Sequence, residues 1–172
     1  YLLQDKFLHW WVTLNLPFYL TGGTVLGRYY LNHRFSDDLD FFVNADQRYS
    51  SYISVIRARI QESFSTDLQN SLFADDFSRF YITGDGVMLK IEFVNDVSYY
   101  PGEPLPWDFG LIDRPLNILS NKLTAIVGRD EPKDIFDIVC LSRKYAFNWK
   151  DIFFHSKQKS LINEIDVEQR LY

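Results

Sequence analysis

Apolar residues recur at helical spacing along the first stretch of the chain. Leu3, Phe7, Trp10, Trp11 and Leu14 form one stripe, and the spacing predicts an amphipathic helix over residues 2–14. A second stripe of Tyr52, Val55, Ile56 and Ile60 predicts a helix from Arg48 to Glu62. Shorter apolar runs read as strands: Phe18-Tyr19-Leu20 after Pro17, Leu39 with Phe41-Phe42-Val43, and Val87 to Val94 after the Gly84-Asp85-Gly86 turn. A hairpin is expected from Asp67–Phe73 and Phe77–Thr83, joined at Ala74-Asp75-Asp76. Residues 95–115 hold Pro101, Pro104 and Pro106 and read as a long connection with little regular structure. Such a loop could wall a cleft, with Tyr99 or Trp107 against a base, or be a plain surface loop. Beyond it, Asn117 to Val127 carries Leu119, Leu123 and Ile126 on one face before Gly128. Pro132 then opens a helix striped by Ile135, Ile138, Val139 and Leu141, and residues 161–167 read as a last one. The expected fold class is α/β (α+β), with a mixed sheet of about five strands flanked by helices. A core over residues 1–116 and C-terminal helices over 117–172 pack as one compact unit in this reading.

The polar interruptions carry the chemistry. In a strand, residues two apart face the same way about 6.6 Å apart along the chain, so Asp38 and Asp40 address one spot. Two carboxylates about 4 Å apart repel by about 4 kcal/mol at an effective dielectric near 20, and a divalent ion with oxygen ligands, usually Mg²⁺, resolves the conflict. An isolated D-x-D also fits a solvated strand mouth. Gly22-Gly23 lies upstream at a strand-to-helix turn, where glycine admits close approach and helix amides attract phosphate. Thr24 adds a hydroxyl there, although a plain turn with Thr24 as helix cap fits equally. Glu92 sits mid-strand among apolar residues, where a carboxylate is costly unless paired or metal-bound. It either pairs with Lys90 or acts as the third acidic ligand of a two-metal clamp with Asp38 and Asp40.

Composition narrows the partners. The formal net charge is −5, which argues against broad, sequence-independent nucleic-acid binding but leaves room for docking one RNA end. The late basic residues Arg143, Lys144, Lys150, Lys157 and Lys159 read as a solvated charged face. A lone Cys140 makes no internal disulfide and suits a reducing cytoplasm. No run of apolar residues is long enough to suggest a membrane span.

Gly22-Gly23-Thr24, His33-Arg34-x-Ser36-x-Asp38-Leu39-Asp40-Phe41-Phe42, Lys122-Leu123-Thr124-Ala125 and Arg129-x-x-x-Lys133-Asp134-x-x-Asp137 together resemble the AbiEii-type nucleotidyltransferases. These are the toxin half of a bacterial abortive-infection toxin–antitoxin system, within the DNA polymerase β-like superfamily. The resemblance spans about Pro17 to Leu141. It implies a nucleotidyltransferase fold and transfer of a nucleoside monophosphate from an NTP to an acceptor, with Mg²⁺, two ions expected, as cofactor. Carried over, Gly22, Gly23, Thr24, Arg34, Ser36, Lys122 and Lys133 bind the nucleotide. Asp38, Asp40 and Glu92 bind metal and, with Lys122 and Asp134, form the catalytic set. Asp137 shares a helix face with Asp134, His33 orients the loop, and Arg34 either meets phosphate or pins the loop to Asp37 or Asp38. The implied partners are a nucleoside triphosphate, an antitoxin protein and, as one acceptor, tRNA, with no membrane. A small-molecule or protein acceptor, or a non-catalytic nucleotide-binding module of the same fold, are the alternatives.

Overall fold

The computed structural model describes residues 1–171. The expected mixed sheet is present, but among the described residues it has eight strands, not about five. They are β1 (Tyr19–Thr21), β2 (Leu39–Asn44), β3 (Ser65–Thr66), β4 (Leu72–Phe73), β5 (Phe77–Gly84), β6 (Val87–Asp96), β7 (Leu105–Trp107) and β8 (Gly110–Ile112). Their order is β3-β5-β6-β2-β1-β8-β7, with β4 beside β5. The additional strands are pieces of two or three residues, too short to show an alternation. Two of them correct the reading of residues 95–115: β7 and β8 form an antiparallel hairpin, and β8 extends the sheet by pairing parallel with β1.

The helices are α1 (Leu2–Val12), α2 (Gly22–Val25), α3 (Tyr49–Ser63), α4 (Pro115–Gly128), α5 (Pro132–Lys144), α6 (Trp149–Lys157) and α7 (Glu164–Leu171). Helix α2 runs on into a π-helical turn over Leu26–Tyr30. Helix α6 was not expected from periodicity, yet its start is marked by Asn148, whose side chain accepts a hydrogen bond from the Lys150 amide at 3.1 Å.

Alternation along β2 decides which face does what. Leu39, Phe41 and Val43 are buried, whereas Asp40, Phe42 and Asn44 are only partly so. On the buried face, α1 and α3 close an aromatic core. Trp11 lies 4.5 Å from Phe41 and 5.4 Å from Phe93, centroid to centroid, and Phe41 stacks on Phe93 at 5.2 Å. Ile56 and Ile60 of α3 are fully buried beside them. Removing such side chains from water contributes about 2 kcal/mol each. The opposite face of β2 and β6 is left to form the floor of a cleft, whose wall is α4.

Candidate active site

The site begins at the turn between β1 and α2. Gly22 has φ +71°, a left-handed conformation, and a Cβ there would lie 2.7 Å from Asp40 Oδ2. At Gly23 a Cβ would lie 2.5 Å from Arg34 Nη2 and 2.9 Å from Ser36 Oγ. The glycine pair is therefore required by the side chains packed on it. Thr24 is fully buried and donates its hydroxyl hydrogen bond to the Asp38 carbonyl. That contact fixes the backbone just before β2, and it corrects the expectation that the hydroxyl is offered to a triphosphate.

The carboxylates come from neighbouring strands. β2 and β6 run parallel with Asp40 directly beside Glu92, and both side chains line the cleft. Burial, then the charges of Glu92 and Asp38, push the Asp40 carboxyl up to about 7. Asp38 lies just ahead of β2. Lys90 Nζ stands between the outer two acids, 2.9 Å from Asp38 Oδ2 and 3.6 Å from Glu92 Oε1. Arg79, opposite Glu92 on β5, closes on Glu92 Oε1 at 2.7 Å. Glu92 therefore pairs with cations, Arg79 and Lys90, the first of its two anticipated roles. As the side chains stand, no three His, Cys, Asp or Glu groups among the described residues are arranged to hold a metal ion.

The far wall is organised by α5. Lys122 of α4 lines the cleft and is gripped from behind, with Nζ 2.5 Å from Asp134 Oδ1 and 2.8 Å from Asp137 Oδ2. Asp134 also accepts from Arg129 Nε at 2.7 Å, and Arg129 lines the cleft. Asp137 accepts from Arg34 Nε and Nη2, each at 2.7 Å, and from His33 Nε2 at 2.7 Å. Both aspartates are fully buried. Burial presses the Asp137 carboxyl upward, but hydrogen bonds from Arg34 and the Lys122 charge overcome it and hold the group at about 2. Asp134 is likewise held below its ordinary range against burial, by Arg129 and Lys122.

This geometry corrects several sequence expectations. Asp134 does not line the cleft; it lies behind it, bonded to Lys122 and Arg129, which do. Arg34 is pinned, as one alternative had it, but to Asp137 rather than to Asp37 or Asp38, because Asp137 offers both carboxylate oxygens to the guanidinium fork. His33 does orient the loop by a hydrogen bond. Ser36 packs over Gly23, and its carbonyl accepts from Gln4 Nε2 at 2.8 Å. Lys133 is exposed, and its amine makes no ion pair among the described residues, because the helix turns it away from the buried Asp134 and Asp137 face.

Residues missed from sequence lie at the other end of the cleft, which encloses about 270 Å³. Lys159, read as part of a solvated face, has a side chain only 4% exposed. Its Nζ donates to Asn121 Oδ1 at 2.6 Å and to Asn117 Oδ1, and lies 3.7 Å from Asp96 Oδ2. Asn117 in turn donates to Asp113, which also accepts from Thr21 Oγ1 at 2.5 Å and Tyr100 OH at 2.7 Å. Burial pushes Asp113 up and Lys159 down. The available signal was Asn117 and Asn121, one helical turn apart on α4 and facing Lys159.

Comparison with solved structures agrees with this architecture. A candidate nucleotidyltransferase from H. pylori is 24% identical, covers 98% of this chain and 80% of its own, and superposes with a TM-score of 0.64. JHP933 from Helicobacter pylori is 23% identical, with 98% and 87% coverage and a TM-score of 0.61. At these identities the likeness establishes the fold. A comparison with curated proteins finds no significant match. The model of the family described as nucleotidyl transferase AbiEii toxin, type IV toxin–antitoxin system, matches residues 8–156. With that match covering most of its length, the chain belongs to the AbiEii nucleotidyltransferase toxin family.

Proposed function

We propose that this protein transfers a nucleoside monophosphate from an NTP to an acceptor hydroxyl with the help of Mg²⁺, that tRNA is the acceptor, and that a cognate antitoxin restrains it in the cytoplasm. The observation that carries the chemistry is the in-register pair Asp40 and Glu92 beside Asp38, with the Lys90 ammonium between the outer two acids. A protein cation held by two of the three carboxylates marks a place where positive charge is stabilised. The hard oxygen donors suit Mg²⁺, so the residues fit the ion once Lys90 withdraws. Asp38, Asp40 and Glu92 would hold two such ions, which when bound supply charge neutralisation and a more acidic hydroxyl.

The chain's own residues do the rest. The acceptor hydroxyl oxygen forms a bond to the α-phosphorus and releases its proton to water, the bond from the α-phosphorus to the bridging oxygen of the β-phosphate breaks, and pyrophosphate leaves with the negative charge. Lys122 and Arg129, both on the cleft wall, meet that charge, and the salt bridges to Asp134 keep them aimed. Gly22 lets the backbone come up to Asp40 without a side chain between them. The test is incubation with labelled NTPs, Mg²⁺ and total tRNA, beside an Asp40→Asn variant. Label passes to RNA in the parent and falls by at least about a hundredfold in the variant, as loss of a metal-site group does. Label found only on small acceptors overturns the tRNA assignment. No transfer to any acceptor overturns the reaction.

A further inference from the structure

Two lysines stand close enough to Asp40 to act on its charge, Lys90 and Lys122, and they are held in different ways. Lys122 is buried, and its partners Asp134 and Asp137 are fully buried behind the cleft wall. That ammonium is locked in place. Lys90 lies on β6 two residues before Glu92, so its side chain leaves the strand on the same face. It crosses toward the start of β2, where its Nζ lies 2.9 Å from Asp38 Oδ2, and it stands 3.6 Å from Glu92 Oε1. The side chains of Lys90 and Asp38 are each 28% exposed. An ion pair so open to water contributes little to stability, and the flexible four-carbon stem of lysine can carry the ammonium out into solvent.

Lys90 also has no substitute. Arg79 meets Glu92 from β5 at 2.7 Å, but among the described residues Lys90 is the one cation that bridges Asp38 and Glu92. It holds the carboxylate oxygens that a shared divalent ion needs. Resting on the metal-dependent transfer proposed above, we infer that Lys90 is a resident counter-ion that competes with the divalent metal for Asp38 and Glu92 and leaves them when the metal binds. Without metal, its charge relieves the repulsion among the three acids. With metal, that relief comes from the ion, and an ammonium left beside it is repelled. Removing the lysine therefore strengthens metal binding, the reverse of what the loss of a group that merely positions the acids does.

The test is calorimetric titration of the protein, without nucleotide, with Mn²⁺, which takes the same oxygen donors as Mg²⁺. Lys90→Met binds Mn²⁺ at least about tenfold more tightly than the parent, while Lys90→Arg, which keeps the charge, gains nothing comparable. A second measurement needs no variant. In a short acetic anhydride pulse mapped by mass spectrometry, Lys90 of the parent is acetylated several-fold faster at saturating Mn²⁺, whereas the exposed Lys150 keeps its rate. Equal or weaker Mn²⁺ binding by Lys90→Met overturns the inference, as does an equal gain in Lys90→Arg. So does a Lys90 acetylation rate that stays the same or falls when Mn²⁺ binds. If neither the parent nor Lys90→Met binds Mn²⁺, metal-dependent transfer itself falls, and this inference with it.

Discussion

Gly22 combines two demands in one residue, a left-handed backbone and no side chain within reach of Asp40. Gly22→Ala is therefore expected to cost about 1–2 kcal/mol of stability from the backbone alone. It should also displace Asp40, so urea denaturation registers a modest loss while nucleotidyl transfer falls far more steeply. The Gly-Gly pair and the D-x-D spacing were legible because their signals are local, a few residues apart in one strand–helix–strand unit. Lys159 was not. Its burial is created by Asn117 and Asn121, some forty positions earlier in the chain, and a lysine among other lysines carries no mark of what will face it.

At the level of elements, α5 acts as a clamp. Asp137 holds the loop before β2 through His33 and Arg34, and it holds α4 through Lys122. Its carboxyl lies at about 2 in the folded protein against about 3.9 unfolded. A depressed value means that ionised Asp137 stabilises the fold above pH 4, and that this contribution is lost as pH falls from about 4 through about 2. The expected size is at most about 2.6 kcal/mol. Thermal unfolding between pH 2 and pH 6 checks it: Asp137→Asn should be less stable than the parent at pH 6 and should lose less on acidification. The helical spacing already placed Asp134 and Asp137 on one face. Which way that face points is settled by tertiary packing, and the sequence alone left the cleft as the natural guess. The β7–β8 hairpin was illegible for a different reason: three-residue strands with a proline in one and a glycine in the other leave no periodicity to count.

Across the whole molecule, folding and site formation share one set of contacts. Phe41 is fully buried between Phe7, Trp11 and Phe93, on the strand that carries Asp40. Phe41→Ala should cost about 3–5 kcal/mol, seen as a lowered denaturation midpoint. The broad architecture, helices on a mixed sheet with the acids on two inner strands, was legible because hydrophobic alternation in β2 and β6 is strong. The number of strands was not, since edge pieces are recruited by pairing rather than by pattern.

The parallel alignment of Asp40 with Glu92 has one more consequence. A slip of either strand by a single residue would turn its acid into the aromatic interior and push Phe41 or Phe93 out over the nucleotide. Such a chain would bury an uncompensated charge and expose a ring, so it would hardly persist as a folded species. Misaligned acids are thus eliminated by instability before catalysis can reject them, and any mutation that preserves the packed interior inherits a correctly indexed pair of acids at no extra cost.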